Sequence, residues 1–342
     1  MDKYNLLDCT LRDGGYINQW TYSDEAIIDI IRNLIDAGLD FLEVGYINPG
    51  GHAGNSTQFD SIERIGEYLP KDREKCMLLA MADVRQFPIE SLTEYTGRSI
   101  DGIRIVFYKY QVKQALELAR AVQNCGYKLF MQPMVTIDYT VDEYSNLIQE
   151  ISKLRPYAVS IVDSFGYMLK EDFRKYFRIL DNLLDKDAVV GFHSHNNMDL
   201  AFITAQDILE YNTLRRIVID SSLYGMGRGA GNLNTELIAN YYNMTLGYKY
   251  DIKLILDMIS KHIMPIYQQR TWGYSPYLFI TGLYHYHPNY ASYLLEEFDV
   301  SVSDFEAFIH TIPDDMKTVC RKPYVIEMWN KFANQSANRD NK

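Results

Sequence analysis

Along the first two thirds of the chain, short apolar runs recur at even spacing. The stretches between them repeat their apolar positions every three or four residues. The runs fall at residues 4–8, 41–46, 76–82, 102–107, 128–134, 158–163, 189–193 and 216–220. Each is rich in Val, Ile, Leu or Phe and lacks polar alternation, the pattern of a parallel strand covered on both faces. In the intervening stretches, Ser23 is placed to cap a helix running to Ile35, with Gly38 as its stop signal. A second helix over 113–124 ends at Gly126, and a third over 142–154 ends before Pro156. Eight such units within about 245 residues predict an α/β fold of the (β/α)8 TIM-barrel type. A doubly wound sheet would also alternate strand and helix, but no strand-to-helix turn carries GxGxxG.

Beyond residue 247 the period changes. Helical spacing continues over 254–267, and an aromatic stretch follows, TWGYSPYLFITGLYHYHPNYASYLL, with more helix to residue 332. The expected organisation is a TIM-barrel catalytic domain over 1–247 and a mainly helical C-terminal extension over 248–332. Residues 333–342 read as a polar tail that frays.

Composition narrows the function. The formal charge of 34 − 45 = −11 excludes nucleic acid or an anionic membrane as the main partner. With 47% hydrophobic and 23% charged residues, the chain has a folded protein's balance. No run approaches the roughly 20 apolar residues of a membrane span, and no signal-peptide pattern is present. The 4 cysteines form no CxxC pair, which argues against a disulfide framework or a cysteine zinc site and fits a reducing cytoplasm. The 28 tyrosines suit half-buried core or interface positions, and a homo-oligomer is expected from them.

A barrel's chemistry gathers at the C-terminal ends of its strands. There the chain places Asp8, Glu43, Gln132, Asp163 and the run His193-Ser194-His195-Asn196. Residues i and i+2 of a strand share a face, so His193 and His195 point at one spot. Two imidazoles with a carboxylate make a divalent-metal site with open positions. The carboxylate is Asp13 or Asp8 by position, with Asp163 weaker. Arg12, beside Asp13, can hold an anionic substrate oxygen, and Gly14 allows close backbone approach. The loop GMGRGAGN, with Gly229 inside it, can offer backbone N–H groups to an anion. Asn232 either lends an amide oxygen to a metal or caps the next helix. His52, His285 and His287 are each a general base or a surface histidine. Gly14, Glu43, Gln132, Asp163 and Gly229 are the candidate substrate-contacting positions.

Three of these motifs in order, DCTLRDGG, GFHSHNN and GMGRGAGNLNTE, resemble the metal-dependent lyase and synthase barrels. That family contains 4-hydroxy-2-oxovalerate aldolase, hydroxymethylglutaryl-CoA lyase, isopropylmalate synthase and homocitrate synthase. The resemblance spans roughly residues 4–245. It implies Asp13, His193 and His195 as metal ligands, Asn232 as an added ligand, and Arg12 as the group that steadies an enolate oxygen. It implies Mn²⁺ or Mg²⁺, with Zn²⁺ as the alternative, and a 2-oxo acid with an aldehyde as substrates. Where the aldolases carry a histidine base and the synthases a glutamine, this chain has Tyr16; its ordinary pKa near 10 does not suit a base at neutral pH, so the base is Tyr16 or, in its place, His52 or a histidine of the C-terminal stretch. A Claisen-type acyl-CoA synthase is the second reading, and a barrel without chemistry that acts as a scaffold the third. The segment around Gly273 loosely resembles the aldolases' second domain, which docks a dehydrogenase; such a partner is a minor expectation here.

Overall fold

The computed structural model describes residues 2–51, 54–73, 76–248 and 250–340, without side chains from 335 onward. Eight parallel strands form the barrel: Tyr4–Asp8, Phe41–Ile47, Met77–Asp83, Gly102–Phe107, Lys128–Pro133, Ala158–Asp163, Val189–Ser194 and Ile217–Ser221. The first pairs with the eighth (Asn5 opposite Val218) and also with the second (Leu7 opposite Phe41), so the sheet closes. A two-residue strand, Gln58–Phe59, adds to the second strand outside the ring. The expected helices form close to their predicted bounds, with Ser23 accepting from the Ala26 N–H to start Asp24–Asp36.

Period two along the strands builds the interior in layers. Leu7, Phe41, Phe130, Val189 and Val218 form an apolar plug. Two residues further along, the same faces carry Glu43, Gln132 and Asp220, all buried. A polar layer therefore sits directly on an apolar floor at the C-terminal side, where the chemistry of such barrels is found.

The repeat is not uniform. The third strand is followed by a single 3-10 turn, Ile89–Ser91, in place of a helix. The intervening sequence carries Pro88 and Gly97 and lacks helical apolar spacing, so no helix can bury a face there. At the C-terminus a second core gathers Tyr290, Phe305, Phe308, Val325 and Trp329, together with Ala230 of the glycine loop. Trp272 Nε1 donates to the Tyr224 carbonyl at 2.9 Å, so the C-terminal helices press on the loop after the eighth strand. The last helix, Lys322–Asp340, runs through most of the stretch expected to be a frayed tail. Trp329 and Phe332, with ring centroids 5.5 Å apart, fasten its first half to the second core. Among the described residues no helix is long and apolar enough to cross a membrane.

Candidate active site

The seventh strand carries His193, and His195 follows at its end. Asp13 arrives from the helical turn Thr10–Asp13 just after the first strand. Ligand atoms of Asp13, His193 and His195 lie within 4.8 Å of one another, and all three residues are buried. His195 Nδ1 stands 3.9 Å from Asp13 Oδ2. Burial, reinforced by Arg228, His193 and Arg12, pushes the His195 imidazole down to about 3 despite Asp13. It stays neutral at ordinary pH, as a metal ligand must. Burial alone would raise Asp13, but Arg12 and the two histidines hold it well below the usual carboxylate range. His195 Nδ1 and Asn232 Oδ1 are buried with no hydrogen-bond partner among the described residues. Orphaned buried lone pairs are costly unless something occupies them. An ionised carboxylate, neutral imidazole and two orphaned acceptors make a donor set that fits a divalent metal.

Behind the ligands runs a loop of alternating charge. His193 Nδ1 lies 3.0 Å from Asp220 Oδ2, and Asp220 also pairs with Arg104. Arg104 Nη1 lies 3.2 Å from Glu43 Oε2. Glu43 accepts from Arg12 Nε at 2.6 Å, and Arg12 pairs with Asp13. The chain of contacts thus starts on one metal-ligand candidate and returns to another. Such partners fix a ligand's orientation and tautomer. With its amide turned to satisfy its neighbours, Gln132 accepts from Arg104 at 2.7 and 3.0 Å. Arg104 was not among the sequence candidates, and Asp220, a polar residue at the end of the eighth strand, was given no role. The available signal was a charged residue in each of the otherwise apolar runs GIRIVF and IVIDS, since buried charges are rare unless paired.

The glycine loop closes over this layer. Asn232 Nδ2 donates to Asp13 Oδ2 at 2.8 Å and to the Met226 carbonyl at 3.2 Å. Gly227 permits that approach, because a Cβ there would sit 2.3 Å from Asn232 Nδ2 and 2.6 Å from Asp13 Oδ2. Gly229 has φ +66, and a Cβ on it would meet Asn197 Oδ1 at 2.6 Å. Gly14 is needed for packing: its Cβ would fall 2.4 Å from the Thr10 carbonyl oxygen.

The remaining sequence candidates divide clearly. A small cavity of about 30 Å³ is lined by Arg12, Asp13, Tyr16, Gln132, His193 and His195, among others. Tyr16 Oη lies 3.3 Å from Tyr46 Oη. Burial raises Tyr46 well above the ordinary tyrosine range, so it keeps its proton. Glu43 sits under Arg12 and Arg104. Asp163 turns away, accepting from the Tyr167 and Met168 N–H groups at 3.1 Å each, and burial raises it to about 7. Asp8 accepts from Thr10 N at 2.9 Å and Thr235 Oγ1 at 2.6 Å, so it ties loops together. His285 stacks on Tyr167 at 4.4 Å. His287 Nδ1 accepts from the Asn289 N–H at 3.1 Å, which puts the neutral ring's proton on Nε2 and makes it a donor. His52 lies outside the described residues.

A family model described as HMGL-like matches residues 3–260. The chain belongs to the HMGL-like family. It is 27% identical over 277 residues to 4-hydroxy-2-oxovalerate aldolase 6 of Rhodococcus jostii (strain RHA1), covering 77% of this chain and 75% of that one. It is 26% identical over 234 residues to an oxaloacetate decarboxylase of Mycobacterium tuberculosis (strain ATCC 25618 / H37Rv), covering 68% of each. Among solved structures, the N-terminal domain of a candidate aldolase from Bacteroides vulgatus superimposes with a TM-score of 0.76 at 24% identity. That match covers 90% of this chain and 100% of that one. It speaks to the fold, which this HMGL-like barrel shares together with part of the C-terminal extension.

Proposed function

We propose that this HMGL-like enzyme is a divalent-metal-dependent aldolase. It makes or breaks a carbon–carbon bond beside the enolate of a pyruvate-type 2-oxo acid. The observation that carries the reading is the convergence of Arg12 with Asp13, His193 and His195 on one buried cleft. An arginine beside a divalent-metal site suits an oxygen that gains negative charge during reaction. The aldolase relatives, at 24–29% identity, support the same chemistry.

Asp13, His193 and His195 would hold the metal, with the Asn232 amide oxygen able to join them. The bound ion would supply Lewis-acid polarisation of the substrate's oxygens. The imidazole and carboxylate set suits Mn²⁺ or Mg²⁺, with Zn²⁺ as the alternative. Arg12 spends Nε on Glu43 and Nη1 on Asp13. Its Nη2 has no partner among the described residues and is free to donate to the enolate oxygen. In the cleavage direction, the Tyr16 phenol oxygen accepts a hydrogen bond from the 4-hydroxyl of a 4-hydroxy-2-oxo acid, and the proton of that hydroxyl passes to water as the bond breaks. The C3–C4 electron pair becomes the enolate, which Arg12 steadies, and the aldehyde departs. A proton returned to C3 gives the free 2-oxo acid. Tyr46, beneath Tyr16 and permanently protonated, positions the phenol oxygen through their hydrogen bond. The cysteines are free, which supports a reducing compartment such as the cytoplasm.

The test is to incubate the metal-loaded protein with a series of 4-hydroxy-2-oxo acids and to measure pyruvate release and the aldehyde in parallel. Equimolar release of the two supports the proposal. Absence of release across the series, with the metal bound, contradicts it.

A further inference from the structure

The cations of the cleft are not equally satisfied. Arg12 is held between Asp13 and Glu43, and Arg104 between Glu43 and Asp220. Arg228, from the glycine loop, makes no ion pair among the described residues. It has one hydrogen bond, from Nη2 to the Ser164 carbonyl at 3.0 Å, and its Nε is buried without a partner. Its guanidinium lies 5.3 Å from the centre of the Tyr16 ring. In a chain of net charge −11, a partly buried arginine without a carboxylate is set apart.

Its position gives it a use. Arg228 and Tyr16 both line the small metal-side cavity and also a neighbouring cavity of about 650 Å³. The outer cavity is walled by Tyr267, Trp272 and Tyr274 from the C-terminal region. Its other arginine, Arg270, is already paired with Glu296 at 2.7 Å. The outer space is far larger than the inner one, so it can take the part of the substrate that lies beyond the bond being made or broken. The uncompensated guanidinium stands at the boundary between the two.

We propose that Arg228 is the specificity-determining residue for the electrophile, and that the preferred aldehyde carries an anionic group. A carboxylate and a phosphate both accept the forked donors of a guanidinium. The inference rests on the aldolase reading above and deepens it by naming the class of its second substrate. Tyr16 forms the wall that keeps the anionic group beside Arg228, while the carbonyl carbon reaches past it to the enolate.

The experiment measures kcat/KM for condensation of pyruvate with three aldehydes: propanal, succinate semialdehyde and glyceraldehyde 3-phosphate. It is run on the native enzyme, Arg228→Ala and Arg228→Lys, with metal-dependent deuterium exchange into pyruvate as the baseline. The readout is the ratio of an anionic aldehyde to propanal within each enzyme, so a general loss of activity cancels. The native ratio is expected to be about 10- to 100-fold for at least one anionic aldehyde, the range of a hydrogen bond to a charged group. Arg228→Ala should bring the ratio close to one, and Arg228→Lys should keep part of it. The two anionic arms tell carboxylate from phosphate. A native enzyme that condenses all three aldehydes equally overturns the inference, as does a ratio unchanged in Arg228→Ala. A raised pyruvate KM in Arg228→Ala with the ratio intact would assign Arg228 to the donor's carboxylate and also overturn it. If the native enzyme shows neither exchange nor condensation, the aldolase reading itself fails, a result distinct from the others.

Discussion

Replacing Asp220 with Asn removes a charge from behind the candidate metal ligands Asp13, His193 and His195 while leaving its shape. Asp220 Oδ2 serves both His193 Nδ1, at 3.0 Å, and Arg104, whereas Oδ1 is buried without a partner. An Asn whose carbonyl oxygen takes the Oδ2 place keeps both contacts as hydrogen bonds to an uncharged acceptor and puts its amide where nothing was bonded. Arg104 still has Glu43 at 3.2 Å, so the fold is expected to persist. What is lost is the negative charge that strengthens His193 as a ligand. Substituting such a partner typically weakens metal binding by about 10- to 100-fold, or about 1.4 to 2.7 kcal/mol. The assay is competition for Mn²⁺ against a chromophoric chelator, with thermal unfolding of the metal-free protein alongside. His193→Ala should abolish tight binding, and adding Asp220→Asn to it should make little further difference, because the two act through one contact. Affinity within twofold of the native value in Asp220→Asn would show that the contact does not act on the ligand, and would refute the reasoning.

Further outcomes follow from the same geometry. Arg12→Ala should retain metal but lose enolate formation by about 100- to 1,000-fold, the usual loss for one charge-stabilising donor; turnover kinetics with metal analysis checks it. Gly227→Ala should weaken metal binding, because its Cβ would sit 2.6 Å from Asp13 Oδ2; overpacking of this kind costs about 1–3 kcal/mol. Gly247→Ala meets nothing within 4 Å and should leave metal binding untouched in the same titration. Trp329→Ala, in the second core against Phe308 and Phe332, should cost about 3–5 kcal/mol. Hydrogen exchange should show the loss first in the C-terminal helices.

The barrel was legible because strands buried on both faces leave uninterrupted apolar runs, and every predicted strand lies within two residues of the observed one. His193 and His195 were legible for a related reason: their spacing of two matches the pleat. The missing helix after the third strand was hidden by the assumption of a uniform repeat, although Pro88 and Gly97 marked it. Side-chain direction was harder. Asp163 and Glu43 stand at strand ends like His193, yet backbone N–H groups claim the first and two arginines the second. Arg104 pairs with Asp220 across 116 positions, a distance no local pattern encodes. The same holds for Ala230, whose place in the second core links the glycine loop to helices far along the chain. The helix through residues 333–340 was not expected because Asn334, Gln335, Ser336, Asn338, Arg339 and Asp340 leave no apolar spacing to mark a face.

The most direct measurement is deuterium exchange at the methyl group of pyruvate, followed by proton NMR with no aldehyde present. It isolates enolate formation from the choice of electrophile. With Mn²⁺ or Mg²⁺ restored to metal-stripped protein, exchange is expected at a rate well above that of free metal, and it should vanish on chelation and in His195→Ala. Exchange that persists without metal, or in His195→Ala, would contradict a metal-assisted enolate at this site. A metal-loaded native protein that leaves the methyl group untouched would contradict the pyruvate-type substrate.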